Sequence, residues 1–308
     1  MGQEACPTKS ATLRSVEASF QRMRARLCYP DRNQRVRVGN RLLVAAGLTL
    51  VFLLGALYGF QRGGRRSLFS EDESRLLTPS DAGEKTEWAF ARLRYPSSRG
   101  SGRGGYWGFR SSWATDYPKA DRQFVQGVRR LTRLHTRSVE QVVDLESDEI
   151  FNWPWIYAVE VGQWGLTDAQ AGKLREYLLR GGFLMVDDFH GTREWSVFMA
   201  SMSRVFPDRP VVEMENSDAI FHVLYDLDQR FQVPGIGPLS GGMTYEQDGV
   251  EPRWRGIYDD KGRIMVAICH NMDLGDAWEW ADHPRYPERY ASLAYRIGVN
   301  YIIYSMTH

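Results

Sequence analysis

The chain has little cysteine: three residues in 308, at Cys6, Cys28 and Cys269. Only Cys269 lies beyond the first tenth of the sequence, so no disulfide within one chain can staple the bulk of it. It also lacks an excess of either charge. Thirty-nine Lys and Arg against 38 Asp and Glu leave a formal net charge of +1, which gives no bulk electrostatic reason to bind nucleic acid. Two catalytic patterns are missing as well. No Gly-x-Cys-x-Gly occurs, and the glycine-rich stretch near residue 100 lacks the Gly-Lys-Ser/Thr ending of a phosphate loop. No internal repeat is visible.

Against these absences stands one long apolar run, Leu42 to Phe60 (LLVAAGLTLVFLLGALYGF), without a single charge. At about 1.5 Å per residue it makes roughly 28 Å of helix, close to the thickness of a bilayer core. It is expected to span the membrane once. A cleaved signal peptide would have a shorter apolar stretch nearer the start. Arg22, Arg24, Arg26, Arg32, Arg35, Arg37 and Arg41 precede the run, whereas Arg62, Arg65, Arg66 and Arg75 follow it. The excess on the N-terminal side keeps that end cytoplasmic and puts the C-terminal part outside. The expected organisation is a basic tail (1–41), a transmembrane helix (42–60), a polar linker rich in Gly, Ser and both charge signs (61–87), and one globular domain (88–308).

Within that domain strand and helix patterns alternate. Trp88 to Tyr95 reads as a strand, Pro118 to His135 as a helix with Phe124, Val128 and Leu131 on one stripe, and Val139 to Leu145 and Trp155 to Val161 as strands. Thr167 with Gln170 three positions on is a capping-box pattern for a helix that closes at Gly181-Gly182. Phe183 to Val186 is wholly apolar, as a strand buried on both faces must be. A helix from Thr192 to Phe206, a strand at Val211 to Met214 and a helical turn near Asp218 to Tyr225 follow. Arg253 to Tyr258 and Arg263 to Cys269 pair as a hairpin across Asp259 to Gly262. The last helix, Glu288 to Tyr304, places Tyr290, Ala294, Ile297 and Tyr301 on one face. The expected fold class is α/β: a three-layer sandwich around a mainly parallel sheet, with one N-terminal transmembrane helix.

Ligands of such sheets bind beyond the C-terminal strand ends, which directs attention to three loops. After Phe183 to Val186 come Asp187, Asp188 and His190. The carboxylates suit either a hard cation or acid and base work, or more plainly cap a helix or bond loop amides, and His190 is either a nitrogen ligand or simply a solvated loop histidine. Asn271, Asp273 and Asp276 follow the second hairpin strand and read either as an oxygen-rich cation loop or as a turn whose Asp side chains satisfy backbone N–H groups. Asp187, Asp188 and Asp273 are the metal candidates, with a divalent cation as the possible cofactor. The third loop follows Arg94 and Tyr95 and carries Arg99 and Arg103 among glycines, a cradle for phosphate or carboxylate or simply a solvated loop. Nearby Trp113, with Trp107 and Tyr117, offers aromatic faces to sugars or to a partner protein.

Several separated blocks also resemble a known family. Phe90 to Tyr95, Trp113 with Asp116, Tyr117, Pro118 and Asp121, Gly181 to Phe189, Asn271 to Asp273 and Gly298 to Asn300 are similar to the bacterial domain-of-unknown-function family numbered 4159, over about Trp88 to the C-terminus. The resemblance adds Asp116 to the ligand candidates. It implies a fold like class I glutamine amidotransferases and flavodoxin-like proteins, and membrane proteins that occur joined to or encoded near von Willebrand-type and MoxR-type ATPase components. It carries no established activity. The amidotransferase comparison fails on the residues, because Asp187 and Asp188 stand where the cysteine nucleophile belongs. Cys269 and His270 do not replace it, since neighbours on a strand face opposite sides. The leading expectation is therefore a non-catalytic binding or assembly component of a bacterial envelope complex, single-pass in the inner membrane, with its C-terminal domain periplasmic and with protein partners. The alternative is a metal-dependent hydrolase-like enzyme using carboxylates at the sheet edge.

Overall fold

A computed structural model describes residues 79–96 and 112–308. All of these belong to the unit Glu73–His308, the second of two into which the chain divides. The expected transmembrane helix at 42–60, most of the linker, and Arg99 and Arg103 lie outside the described residues. Among the described residues no helix is long and apolar enough to cross a membrane.

Element order is β1 (Ala91–Arg94), α1 (Lys119–Leu131), β2 (Gln141–Asp144), β3 (Trp155–Val159), α2 (Asp168–Leu179), β4 (Phe183–Asp187), α3 (Gly191–Val205), β5 (Val212–Glu213), α4 (Ile236–Ser240), β6 (Arg253–Tyr258), β7 (Ile264–His270), α5 (Leu274–Glu279) and α6 (Glu288–Thr307). The seven strands form one sheet in the order β2-β1-β3-β4-β7-β6-β5. From β2 to β7 neighbouring strands are parallel, and β6 and β5 add antiparallel pairs. The expected hairpin is present. Asp259 shapes its turn by accepting from the Lys261 and Arg263 amides with Oδ1, and Gly262 takes a φ of 81°.

Strand alternation sorts the side chains into two cores. Leu93, Ile156, Ala158, Leu184, Val186, Val266 and Ile268 join Leu174 and Leu178 of α2 and Phe198 and Met202 of α3 in one apolar cluster. The other face is aromatic. Phe90 and Trp155 meet at 5.1 Å between ring centroids, Phe124 of α1 and Trp278 of α5 at 4.3 Å, and Tyr157 and Trp278 at 5.4 Å. Helices α1, α5 and α6 pack together there. The capping box at α2 is fully formed, with both the Thr167 and Gln170 side chains engaged.

Several elements differ from the sequence reading. The third strand ends at Val159 rather than Val161 because Glu160 turns to a φ of 54°, leaving the extended region. The Val211 to Met214 strand shortens to two exposed residues at the sheet margin. The stretch after Asn271 is not a turn alone: it winds into α5, with Asp273 as N-cap.

Candidate metal centre

Strands β1, β3, β4 and β7 run parallel, so their C-terminal ends share one edge of the sheet. Just beneath that edge, on the aromatic face, three polar side chains from neighbouring strands lie in a row. Arg92, Tyr157 and Asp187 are all fully buried. The Arg92 guanidinium sits 5.2 Å from the Tyr157 ring centroid, and the Tyr157 hydroxyl donates to Asp187 Oδ2 at 3.0 Å. That same oxygen accepts from the amides of Leu274 and Gly275 at 2.8 and 3.0 Å. Asp187 therefore fastens the first turn of α5 to the sheet. Burial lifts its carboxyl to about 7, against the lowering effect of the Tyr157 and amide bonds.

The chain then turns sharply. Asp188 has a φ of 53°, a left-handed conformation that reverses the side-chain direction set by the strand. Its amide donates to the Met272 carbonyl, and the Asn271 amide to the Phe189 carbonyl, so the loops after β4 and β7 are zipped together. Asn271 is itself left-handed, at a φ of 65°, and clasps the Gly191 amide and the Glu251 carbonyl with its side chain. Asp116 is left-handed as well, at a φ of 59°.

These turns bring carboxylates together. Asp116, Asp188 and Asp273 each offer an oxygen, and the three lie within 4.8 Å of one another. Two oxygens on one hard cation can be at most about twice a 2.3–2.6 Å bond apart, so 4.8 Å is compatible with a shared ion. A second group, Asp116 with Asp276 and Glu279, meets the same distance and shares Asp116 with the first. Glycines leave room between them. A Cβ built on Gly275 would lie 2.6 Å from Asp116 Oδ2 and 3.2 Å from the Tyr157 hydroxyl. One built on Gly235 would lie 2.6 Å from Asp273 Oδ2, 3.0 Å from Asp276 Oδ2 and 3.3 Å from Glu246 Oε1.

The cluster is electrostatically costly as it stands. Burial, then mutual repulsion, pushes the carboxyls of Asp116, Asp188 and Asp273 well above the usual carboxylate range. Burial also raises Asp276 and Glu246. Asp116 Oδ2 is buried without a hydrogen-bond partner among the described residues, as is Asp187 Oδ1. His190 Nε2 stands 3.2 Å from Asp188 Oδ1. Burial depresses His190 to about 4, so it is neutral near pH 7 and supplies no compensating charge.

The expected site residues thus divide. Asp188 and Asp273, two of the three metal candidates, come together, and Asp116, which only the family resemblance suggested, joins their group. Asp187, a metal candidate from sequence, is turned inward and does the bland job considered for it, bonding loop amides. Asp273 does both: Oδ1 caps α5 through the Asp276 amide while Oδ2 faces Gly235. Asp276 accepts from the Ile236 amide and the Trp280 indole. Arg94 is half-exposed and pairs with Asp144, and the Tyr95 hydroxyl bonds the Val159 and Glu160 carbonyls. Trp113 packs against Tyr117. Cys269 is buried with its thiol pushed up by burial, while His270 on the opposite face stacks near Phe189 and Trp195. The pair therefore does not meet, as strand alternation required.

Sequence reasoning missed Arg92, Tyr157, Glu246 and Glu279. The first two were legible in principle, because alternation from Phe90 and Trp155 aims both inward; Glu246 and Glu279 carry no local signal.

The family described as domain of unknown function (DUF4159) matches residues 89–306. No curated protein matches the chain. The match spans well over half of the sequence, and the chain belongs to that family.

Proposed function

We propose that this DUF4159 domain binds a divalent, oxygen-preferring cation through Asp116, Asp188 and Asp273, and uses the loaded edge to hold a partner in an envelope assembly. The convergence of three carboxylates from three separate loops within 4.8 Å, those of Asp188 and Asp273 on buried residues and that of Asp116 on a half-buried one, carries this reading. A cluster of like charges of this kind is expensive to bury, and a cation of charge +2 removes the expense that protonation otherwise meets. The orphaned Asp116 oxygen and the side-chain-free spaces over Gly235 and Gly275 support it. Among the described residues the two converging groups offer oxygen donors only, which suits Mg²⁺ or Ca²⁺ better than Zn²⁺.

In this reading the chain is anchored by residues 42–60, with the domain on the extracytoplasmic side of a bacterial inner membrane. The parallel sheet, with helices on both faces, supports a three-layer architecture of the amidotransferase-like or flavodoxin-like kind. A binding role is favoured over glutaminase chemistry by the turn after β4. It has the strained strand-to-helix form of a nucleophile elbow, yet Asp188 stands at its left-handed position and Cys269 is buried elsewhere. A second reading, a metal-dependent hydrolase, is favoured by one observation: the two carboxylate groups share Asp116, as a bridging ligand of a paired-metal centre would.

Thermal unfolding of the full chain in detergent, after chelation, tests the cation. At 100 times the dissociation constant Mg²⁺, Ca²⁺ or Mn²⁺ contributes about 2.7 kcal/mol, a rise of about 5–10 °C for a domain of this size. Asp188→Asn should abolish the rise. An equal rise in that variant, or none in the parent with any of the three ions, would sink the reading.

A further inference from the structure

The loop that carries Asp116 is held only in part by its own short-range bonds, from the Thr115 amide to the Ser112 carbonyl and from the Tyr117 amide to the Ala114 carbonyl. Its upstream half is held by Arg92, which belongs to β1 and is fully buried. Every arm of the guanidinium is used. Nε donates to both oxygens of Asp121 at 3.1 and 2.8 Å, and Nη2 donates to Asp121 Oδ1. Nη1 turns the other way and donates to the carbonyls of Trp113 and Thr115 at 3.1 and 2.9 Å. The Tyr117 ring lies 5.8 Å and the Tyr157 ring 5.2 Å from the guanidinium carbon. Downstream, the Asp116 carbonyl accepts the Ala120 amide at the start of α1. The left-handed Asp116 is thus clamped on both sides, one side by Arg92.

A simple structural ion pair does not need this arrangement. Asp121 alone asks for one cation, which a lysine would supply, whereas bonding two backbone carbonyls and a carboxylate at once requires the planar fork. The two carbonyls belong to residues within three positions of Asp116, and the same guanidinium abuts Tyr157, whose hydroxyl holds Asp187 and so the loop with Asp273. One buried side chain reaches toward two of the three loops that supply ligands, those of Asp116 and Asp273.

We infer that Arg92 is the positioning residue of the cation site, setting the backbone of the 113–116 segment so that Asp116 meets Asp188 and Asp273. The inference rests on the cation reading above. Partners behind metal ligands of this kind change affinity roughly 10- to 100-fold when altered. Arg92→Lys keeps the pair with Asp121 but releases the two carbonyls.

Mn²⁺ titration of the full chain in detergent, by calorimetry with circular dichroism as the check on folding, decides it. The expected result is Arg92→Lys folded and cooperative, with Mn²⁺ affinity reduced roughly tenfold or more. Leu174→Ala, a core truncation in α2 on the opposite face, should lower the melting temperature with unchanged affinity, because a loss of global stability alone does not move the site. Equal affinity in Arg92→Lys and the parent overturns the positioning role while leaving the cation reading intact. No binding by the parent overturns the cation reading itself, and this inference with it. If Arg92→Lys does not fold, Asp121→Glu, which keeps the charge pair but displaces the guanidinium, is read in the same way. Failure of both to fold shows that the pair carries the fold rather than the loop, and overturns the proposal.

Discussion

Asp188 occupies a left-handed backbone position that costs on the order of 1 kcal/mol for a residue with a side chain, and its carboxyl is buried beside two others. Neither helps the fold, so the site is a place where stability is given up. Asp116→Asn or Asp188→Asn should therefore leave the chelated protein as stable as the parent or more so, while removing the stabilisation by added cation. Chemical denaturation with and without Mg²⁺ measures both. Asp187 should behave in the opposite way. Three donors converge on its Oδ2, so Asp187→Ala leaves a hydroxyl and two amides unpaired in a buried place and costs about 3 kcal/mol or more whether or not a cation is present. Adjacent aspartates that the sequence presents as a pair are separated here by direction, and a string of letters does not show the left-handed turn that separates them.

At the scale of elements, α5 is the part least visible in sequence. Its six residues are too few for a helical stripe, and Asp273 to Asp276 read as a turn before they read as a cation loop. The longer elements were legible because burial imposes a pattern: the apolar run Phe183 to Val186 of β4, the Thr167 capping box and the Asp259 to Gly262 hairpin all stand where their residues placed them. Long-range convergence has no such pattern. Nothing local ties Asp116 to Asp273, 157 positions away in the chain by their numbering, and only parallel pairing brings their loops to one edge. The packing of α5 yields a direct test. Gly275→Ala is compatible with a helix, but its methyl group would stand 2.6 Å from Asp116 Oδ2 and push that carboxylate away. The variant should fold normally and lose cation binding, measured as loss of the melting-temperature rise. Retained binding would show that Asp116 is not a ligand.

For the whole molecule, the buried carboxyls link stability to pH. Unfolded aspartates titrate near 4, whereas in the fold Asp187 titrates at about 7 and Asp116, Asp188 and Asp273 well above the ordinary range. Between those values the folded state holds protons that the unfolded chain has released. The contribution of these groups is complete below about pH 4 and is lost as pH rises through the folded values. Calorimetry of the chelated protein should show a melting temperature that falls from about pH 6.5 to pH 8, above the range in which His190 and His270, neutral in the fold, act in the opposite direction, and saturating Mg²⁺ should flatten that fall. A melting temperature that instead rose with pH would mean the carboxylates are compensated within the chain. The membrane arrangement is tested separately. In spheroplasts an impermeant thiol reagent should label Ser70→Cys in the linker and leave Cys28 unlabelled; the reverse would invert the proposed topology.

The claim on which the account turns is that Asp116, Asp188 and Asp273 hold one cation, and anomalous diffraction from crystals soaked in Mn²⁺ tests it most directly. The account predicts a single strong peak within about 2.0–2.6 Å of an oxygen from each of the three carboxylates, with any second peak beside Asp276 and Glu279. A saturating soak that leaves no peak among the three, or that places the ion elsewhere on the molecule, would contradict it.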